Sequence, residues 1–393
     1  MEKESPLTIP KKPIAENCRF RFFILKNVPI IFCDGFANNI PAAKKRKQRA
    51  NGKETDMNKH LCRPILIFLC ASILLLSGGV FVSAEELPTE VIPGGMAFGV
   101  KYYAEGAIVI GVCDVETASG LASPAEKAGL QKGDVIIGAG GSKIQTLEDL
   151  LKTVKGCGGR KIEIQYQRND KTHSATVSPA KDKTTGEYRI GVWVRDSTAG
   201  IGTITYIDRK NNTFGGLGHG INDSSTGILM PFGKGTIVDV TIKGVTKGLK
   251  SVPGELKGEF GKTELGILTG NTQAGVFGIY HTLPEKLSSP IPVGKKGDLK
   301  EGKATVRSCA GGTVAEYEIE IEEIYKDSGR TKNFLIRVTD ERLLSITGGI
   351  VQGMSGSPII QNGCLVGAVT HVLVNDPTRG YGIFIENMLE AMG

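Results

Sequence analysis

The sequence lacks the short motifs that mark several common functional classes. No C-x-x-C pair occurs among its eight cysteines, so a zinc site of the usual spacing is not expected. No G-x-x-x-x-G-K-[ST] loop occurs either, and the "GKKGD" stretch at 294–298 lacks the context that phosphate binding requires. We therefore expect no metal and no cofactor, and we expect the cysteines of the main body to be free thiols.

The main body of the chain also lacks a basic excess. Residues 1–63 carry 14 Lys/Arg against 6 Asp/Glu, whereas the remainder carries 34 against 35. The formal net charge of +7 therefore belongs to the N-terminal tail. A globular nucleic-acid-binding domain, which would carry its own basic surface, is not expected.

Glycine, in contrast, is abundant. The 393 residues include 53 glycines, a share that turn-rich β proteins tolerate and helix-rich proteins avoid. This length is enough for two or three domains with proper cores. We expect a mainly β fold.

One long hydrophobic segment, residues 64–84, has no charged residue. Its 21 residues, "PILIFLCASILLLSGGVFVSA", are enough to span a bilayer, and a cluster of Lys/Arg precedes it. By the positive-inside rule the N-terminus stays in the cytoplasm and the rest of the chain is exported. The ending Val82-Ser83-Ala84 also suits a signal peptidase, so an uncleaved anchor and a cleaved signal both remain open.

The tail before this segment, residues 1–63, is predicted to be a basic cytoplasmic region. Met57 opens "MNKHLCRPILIFLCASILLL", which alone has the form of an export signal, with a short basic part and an apolar core. We therefore hypothesise that translation naturally begins at Met57 and that residues 1–56 are an extension.

Residues 95–180 have the pattern of a small α/β domain. Thr146 is a candidate N-cap for a helix whose inner face carries Leu147, Leu150, Leu151 and Val154, and "KIEIQYQR" alternates like a half-buried strand. Between them and the apolar run "GAIVIGV" lies "SPAEKAGLQKGDVI" at 123–136. This signature resembles the PDZ domains of bacterial protease-associated proteins.

The resemblance implies a peptide groove in the PDZ domain. PDZ domains add an extended peptide to a sheet edge, with the terminal carboxylate against the N–H groups of a glycine-bearing loop. In this sequence that loop would be "GGMAFGV", and the groove residues would be Met96, Ala97, Phe98 and Gly99. For Phe98 a place in the core is an equally good alternative.

The last part of the chain, residues 189–393, reads as short apolar or alternating strands. Gly, Pro, Asn and Asp separate these runs about every ten residues, as is typical of a β-barrel or β-sandwich. The expected architecture is therefore a membrane or signal segment, an α/β PDZ domain and a trypsin-like β-barrel peptidase domain, for which the residues below are the evidence.

The stretch "GGIVQGMSGSPIIQNG" at 348–363 has the composition of a nucleophile loop. Ser355 lies in G-x-S-G, and Gly353 permits the backbone conformation that turns the N–H groups of both residues to the same side. Such a pair forms an oxyanion hole. The Asn-Gly pair that follows predicts a hairpin, with "CLVGAVTH" as its return strand. Ser357 is the alternative nucleophile.

A serine nucleophile needs a histidine base. His219 lies in the glycine-flanked turn "FGGLGHGI" and precedes Ser355, which is the order found in double-barrel peptidases. His371 on the return strand is the alternative base, or a wall of the specificity pocket. The remaining histidines, which are less suited, are His60, His173 and His281.

Taken together, residues 57–393 resemble the SpoIVB-type serine peptidases of endospore-forming bacteria. The residues that carry the resemblance are "AGIGTITYID", "FGGLGHGI" and "GGIVQGMSGSPIIQNG", with the export segment and PDZ signature ahead of them. The resemblance implies a serine endopeptidase in the space between mother cell and forespore. It implies cleavage of the extracytoplasmic part of a membrane inhibitor, which releases an intramembrane metalloprotease that processes a late sigma-factor precursor. It also implies self-cleavage near the N-terminus.

The resemblance assigns the triad acid to Asp340, in "RVTDERLL". Ordinary double-barrel peptidases carry the acid further upstream, where Asp239 would fit better. Asp340 would also serve as an ordinary N-cap of the "ERLL" helix. The acid is therefore left open between Asp340 and Asp239, while His219, Ser355 and the oxyanion donors of Gly353 and Ser355 complete the predicted site.

Two other functions compete with this prediction. The first is a membrane-tethered PDZ binding protein whose β domain is an inactive peptidase scaffold. An intact histidine, serine and glycine loop argue against it. The second is a general quality-control protease of the HtrA kind, in which the peptidase precedes the PDZ domain; in this chain it follows.

Overall fold

The computed structural model describes residues 87–325 and 331–392. Within these residues the chain is mainly β. The strands are β1 (Glu90–Pro93), β2 (Ala97–Val112), β3 (Val115–Thr117), β4 (Gly120–Ala122), β5 (Val135–Ala139), β6 (Ser142–Lys143), β7 (Ile162–Arg168), β8 (Lys171–Val177), β9 (Ala180–Lys181), β10 (Tyr188–Arg189), β11 (Val192–Asp208), β12 (Thr213–Gly216), β13 (Phe232–Thr246), β14 (Glu255–Thr272), β15 (Gly275–Tyr280), β16 (Ile291–Pro292), β17 (Gly302–Ser308), β18 (Ala315–Ile324), β19 (Phe334–Val338), β20 (Pro358–Gln361), β21 (Cys364–Leu373) and β22 (Asp376–Phe384). The helices are α1 (Pro124–Lys127), α2 (Leu147–Gly156), α3 (Glu341–Thr347) and α4 (Ile385–Met392).

The PDZ portion packs α1 and α2 against a sheet formed by the C-terminal half of β2 with β5, β7 and β8. Thr146 caps α2 as predicted: its hydroxyl accepts from the N–H of Asp149, and the Asp149 carboxylate accepts from the N–H of Thr146. This reciprocal pair satisfies two N–H groups that a helix start leaves without partners. Of the four leucine and valine residues predicted for the inner face of this helix, Leu150 and Val154 are buried, Leu147 is half-buried, and Leu151 is exposed, so the prediction was wrong for Leu151.

The strand β2 is shared between the PDZ portion and the peptidase portion. Its residues 107–108 pair with β5 of the PDZ sheet, whereas residues 99–104 pair with β13. Gly106, at φ +95°, marks the change of direction, and a side chain there would meet the Ile136 carbonyl at 2.7 Å. Only glycine adopts that conformation readily at such a close approach.

The first barrel is a closed ring of six strands, in the order β11, β12, β15, β14, β13 and β2, with β2 pairing back onto β11. Its core holds Phe98, Tyr102, Phe214, Ile237 and Tyr280. The PDZ portion is therefore inserted into this barrel, between its first strand β2 and its next strand β11. The predicted domain limits, 95–180 and 189–393, divide the chain by its order. In three dimensions the first barrel also includes residues 97–104 of β2, which precede the PDZ insertion.

The second barrel is closed by β17, β18, β19, β22, β21 and β20. A third apolar cluster joins the two barrels: Tyr206 and Phe277 come from the first barrel, Leu365 and Ile383 from the second, and Met388 from α4. The Asn362-Gly363 hairpin forms as predicted, with both residues at positive φ and β21 as the return strand.

Several predictions concern residues outside the described ranges. The segment 64–84, the basic tail 1–63 and the proposed start at Met57 all lie there. Among residues 87–325 and 331–392, no helix combines the length and the apolar character that crossing a bilayer requires. The four cysteines within these ranges are free thiols, namely Cys113, Cys157, Cys309 and Cys364.

Candidate active site

The nucleophile loop precedes β20 and depends on two glycines. Gly353 and Gly356 adopt φ +94° and +91°. Residues other than glycine rarely adopt this left-handed conformation. A Cβ at Gly353 would press on Leu256 at 3.0 Å, and one at Gly356 would collide with the Thr203 carbonyl. The loop can therefore form only with glycine on either side of Ser355.

The first barrel holds this loop through its carbonyl groups. The Thr203 hydroxyl donates to the Gly353 carbonyl at 2.8 Å, the Thr203 N–H donates to the Ser355 carbonyl at 2.9 Å, and the Thr205 hydroxyl donates to the Gly356 carbonyl at 2.7 Å. Three peptide units are thus oriented by β11. Sequence reasoning missed both threonines; their only signal is the alternation in "GTITYID", which places them on one face of a strand.

The two predicted oxyanion donors are available. Among the hydrogen bonds of residues 87–325 and 331–392, none uses the N–H of Gly353 or of Ser355. The neighbouring N–H groups of Met354, Gly356 and Ser357 are all engaged with backbone carbonyls. A loop with its carbonyls bound and two N–H groups unbound is suited to receive a developing oxyanion.

The two serines of the loop have different surroundings. The Ser355 hydroxyl lies at the cleft and donates to the Thr370 carbonyl at 2.9 Å. Ser357 is fully buried, and its hydroxyl has no hydrogen-bond partner. Of the two serines, Ser355 alone lines the cleft, and its role as the nucleophile stays a prediction.

His219 lies in the turn after β12, close to the barrel junction. The residues before it, Leu217 and Gly218, both have positive φ, at +65° and +66°. The His219 Nδ1 donates to the Gly220 carbonyl at 2.9 Å, which leaves Nε2 with its lone pair. Burial lowers the pKa of His219, and the bond to Gly220 only partly opposes that effect. His219 is therefore neutral at neutral pH.

A cavity of about 450 Å³ between the barrels brings the candidate residues together. The first barrel contributes His219 and part of β11, and the second contributes Gly353, Ser355 and His371. The ring centroids of His219 and His371 are 5.1 Å apart. Among the residues that the structure describes, no Asp or Glu lines this cavity.

The expectation that Asp340 orients His219 is not met in this structure. Asp340 caps α3: its carboxylate accepts from the N–H groups of Arg342 and Leu343, and it also binds the Arg342 guanidinium at 2.7 Å and the Glu318 N–H at 3.2 Å. The bond to Arg342 lowers the pKa of Asp340 to about 2. The carboxylate is thus fully occupied by its own helix and by β18.

The alternative acid, Asp239, is also placed elsewhere. It lies in β13, where its carboxylate accepts from the Thr263 N–H at 3.0 Å and faces Gly261 of the neighbouring strand β14. Neither aspartate lines the cavity that holds His219. The remaining histidines within the described residues are away from the cleft: His173 stacks on Tyr166, and His281 binds Glu264.

The predicted peptide groove at Met96, Ala97, Phe98 and Gly99 is wrong. These residues enter the first barrel, where Ala97, Phe98 and Gly99 pair with β11 and Gly99 also pairs with β13. Phe98 is fully buried against Phe214. An edge that already has neighbours cannot add a peptide strand, so the core alternative for Phe98 is the correct one.

The sequence profile of the SpoIVB peptidase S55 family matches residues 186–389. The chain belongs to this family. A PDZ profile matches residues 97–178, ahead of the peptidase match. The chain therefore combines a serine peptidase domain with a PDZ domain.

Other comparisons cover smaller parts of the chain. The zinc metalloprotease RasP of Geobacillus kaustophilus is 32% identical over 82 residues, which is 20% of each chain. The match to these metalloproteases is confined to the PDZ portion, and the chain spans about a fifth of the length of RasP.

Two solved protease structures are similar to parts of the chain at low sequence identity. The Rv3671c protease from M. tuberculosis in its active form is 16% identical, covering 50% of this chain and 75% of its own, with a TM-score of 0.28. The HtrA-type protease AlgW with a decapeptide is 13% identical, covering 54% of this chain and 57% of its own, with a TM-score of 0.30.

Proposed function

We propose that the protein is a sporulation signalling endopeptidase. It cuts the extracytoplasmic part of a membrane inhibitor, and this releases an intramembrane metalloprotease that processes a late sigma-factor precursor. It also cleaves itself near its N-terminus. The observation that carries this proposal is the S55 family match over a domain whose cleft combines Ser355, His219 and two unbound loop N–H groups.

The chemistry begins at Ser355. A rotation about its Cα–Cβ bond takes the hydroxyl from the Thr370 carbonyl to the free Nε2 of His219, which accepts the proton as Oγ attacks the scissile carbonyl. The resulting oxyanion receives the N–H groups of Gly353 and Ser355. Because β11 holds the loop carbonyls, these donors need little rearrangement as charge develops.

The same histidine completes the reaction. The imidazolium of His219 gives its proton to the leaving amine, and the bond from Nδ1 to the Gly220 carbonyl keeps the ring in its tautomer throughout. Water then enters, His219 removes its proton, and the acyl bond to Ser355 is hydrolysed. The lowered pKa of His219 keeps it neutral and able to accept the proton at neutral pH.

The charge-free segment 64–84 and the basic residues before it support a proposed site of action. We place the peptidase outside the cytoplasm, in the space between forespore and mother cell, either anchored by this segment or released after its cleavage. The membrane and the ligand of the PDZ domain are its further partners.

The test uses the full chain, wild type and Ser355→Ala, incubated in lipid vesicles with the purified ectodomain of the membrane inhibitor and, separately, with unfolded casein. We expect the wild type to cut the ectodomain at one or a few sites and to shorten its own N-terminal region, and Ser355→Ala to do neither. Ser357→Ala is the matched control and should cleave like wild type.

The possible results separate the alternatives. Cleavage of casein without discrete cleavage of the ectodomain would replace the signalling function with general quality control of the HtrA kind. Retained cleavage by folded Ser355→Ala would refute Ser355 as the nucleophile, and a loss confined to Ser357→Ala would move that role to Ser357.

A further inference from the structure

The strand β11 has a neighbouring strand on one side only over most of its length. Residues 192–203 pair with β2, whereas on the other side pairing with β12 begins at Ile204. Outside the strand pairings, no backbone hydrogen bond of the described residues involves residues 192–202. This open edge of β11, residues 192–202, can therefore pair with a further strand.

Two cavities adjoin on this open edge. Residues 198–201 line the active-site cavity. A second cavity, of about 760 Å³, is lined by Asp196 and Ser197 of the same strand and by Leu147 and Leu151 of α2. The open edge thus leads from the active site into the PDZ portion.

The helix α2 flanks the PDZ end of the open edge. At its start the Leu147 N–H donates to the Asp196 carboxylate at 2.9 Å, and near its end Lys155 pairs with Glu187 at 2.8 Å. The helix therefore runs antiparallel to residues 187–196. Leu151, between these two contacts, is 48% exposed, so α2 presents an apolar side chain that the PDZ core leaves uncovered.

The open edge begins at a loop with free N–H groups. The carbonyls of Ile190 and Gly191 accept from the N–H groups of Ala125 and Cys113 at 2.8 and 3.0 Å. Among the hydrogen bonds of the described residues, none uses the N–H of Ile190 or Gly191. Gly191 has φ +77°, and Arg189 beside it has a half-exposed guanidinium. Free N–H groups beside a positive charge suit a terminal carboxylate.

The chemistry of the proposed function determines which half of a substrate meets this edge. His219 gives its proton to the leaving amine, and both His219 and β11 belong to the first barrel. The part of the substrate after the scissile bond therefore faces β11. A peptide that runs from Ser355 toward Val192 is antiparallel to β11 and can pair with its edge. At about 3.3 Å per residue, this path takes roughly ten residues.

We propose that the open edge of β11 binds the substrate on the C-terminal side of the scissile bond, and that the free C-terminus of the substrate binds at Ile190 and Gly191. One extended peptide then occupies the active-site cavity and the PDZ portion together, with an apolar side chain against Leu151. The substrate class is an unfolded C-terminal segment that is cut about ten residues before its end. This inference rests on the serine peptidase chemistry of the proposed function, and it adds a measure of distance to that chemistry.

The experiment uses the full chain and an unstructured peptide that carries one cleavage sequence twice, about 10 and about 20 residues before a free C-terminus. The sequence is the one that mass spectrometry maps in casein or in the inhibitor ectodomain, whichever the wild type digests. We expect the nearer copy to be cut about tenfold faster, and amidation of the C-terminus to remove most of this preference, because a hydrogen-bonded charge is lost.

Binding is measured separately from cleavage, by fluorescence polarisation of the same peptide on Ser355→Ala. Antiparallel strands direct the N–H groups of alternate residues toward one neighbour. N-methylation of every second residue after the nearer cleavage sequence should therefore weaken binding about tenfold in one phase and much less in the other phase.

The variant Leu151→Asp tests the PDZ end of the open edge. We expect it to reduce the preference for the nearer copy about tenfold through KM and not through kcat, as for a contact made equally in the ground state and the transition state. Leu121→Asp is the matched control, because Leu121 is also an exposed leucine of the PDZ portion and lines neither cavity. It should retain the preference. Circular dichroism and thermal unfolding verify that both variants are folded.

Three results would overturn the proposal. They are equal cutting of the two copies by the wild type, equal effects of the two N-methylation phases, and a loss of preference in Leu121→Asp as large as in Leu151→Asp. A wild type that prefers the nearer copy but spares the inhibitor ectodomain would instead refute the signalling function and leave the docking edge in place. Phase-dependent binding to Ser355→Ala without any cleavage by the wild type would refute the peptidase and still support the edge.

Discussion

The two sides of the cleft are built in different ways. On the serine side, β11 donates three hydrogen bonds to the carbonyls of Gly353, Ser355 and Gly356, so the first barrel shapes a loop of the second. On the histidine side, His219 has one polar contact, with the carbonyl of the next residue, and one ring neighbour. The nucleophile loop is rigidly held, and the base is lightly held.

The difference separates the catalytic roles of the two sides. The Ser355 hydroxyl is bound to the Thr370 carbonyl, so its rotation toward His219 is the step that brings the two sides together. The strand that holds the serine loop is β11. Its first residues, Val192 and Val194, pack against the PDZ core. Substitutions on the serine side should therefore affect stabilisation of the oxyanion by the N–H groups of Gly353 and Ser355. Substitutions on the histidine side should affect proton transfer to and from His219.

The largest effect is expected for Gly353→Ala on the serine side. The residue sits at φ +94° and a methyl group there would meet Leu256, so the loop must move and its N–H must leave the oxyanion position. Loss of one such donor costs about 10²- to 10³-fold in kcat. Steady-state kinetics on a peptide substrate would measure it.

Gly363→Ala is the matched control for this change. Gly363 also has positive φ, at +77°, but a side chain there meets nothing within 4 Å and the hairpin lies away from the cleft. The Gly363→Ala variant should have a strained hairpin backbone but should lose little kcat. Equal losses in the two variants would mean that general loop strain, and not the oxyanion donor, explains the effect.

A smaller effect is expected for Thr203→Val. This change keeps the shape of the side chain but removes the bond from its hydroxyl to the Gly353 carbonyl, while the Thr203 N–H still binds the Ser355 carbonyl. We expect kcat to fall about tenfold, which corresponds to the roughly 1–1.5 kcal/mol of one hydrogen bond. Thr198→Val, at a cavity residue outside this set of bonds, is the comparison, and a normal kcat in Thr203→Val would show that the loop needs no anchor from β11.

The serine side could be predicted from the sequence and the histidine side only in part. The G-x-S-G pattern and the Asn-Gly hairpin are local, because glycine conformations depend on neighbouring residues. His219 was identified from its glycine-rich turn and its order relative to Ser355. The acid could not be found in this way, since Asp340 acts locally as a helix cap and only the folded chain shows that its oxygens are occupied.

The prediction of the PDZ groove was wrong for a similar reason. The stretch around Phe98 has the composition of a PDZ loop, but a strand carries no sequence signal for which sheet it joins. Here β2 continues through Gly106 into the first barrel, and the partners β11 and β13 lie about 90 and 130 residues further along the chain. Pairings over such distances depend on the whole fold.

The histidine side can be probed by pH. His219 must be neutral to accept the Ser355 proton, and burial lowers its pKa below the ordinary histidine value. Activity is therefore lost as pH falls through that lowered pKa, so the acid limb of kcat/KM should lie below pH 6.5. A pH profile with an acid limb at or above the ordinary value would mean that a nearby anion compensates for burial, and the search for a carboxylate partner would reopen.

The smallest effect on catalysis is expected for Asp340→Ala, which should instead reduce stability. The carboxylate caps α3, and loss of an N-cap of this kind costs about 1 kcal/mol of unfolding free energy. Thr146→Ala, at the start of α2, is the matched control in the PDZ portion and should lose a similar amount. Because the pKa of Asp340 is lowered from 3.8 to about 2, the stability it contributes is present above pH 4 and is lost as pH falls toward 2. Denaturant unfolding at pH 7 and at pH 3 would therefore show a smaller difference between wild type and Asp340→Ala at the lower pH. If stability were unchanged and kcat fell instead, Asp340 would belong to the catalytic side of the cleft, and the contrast between a strongly held serine and a lightly held histidine would no longer stand.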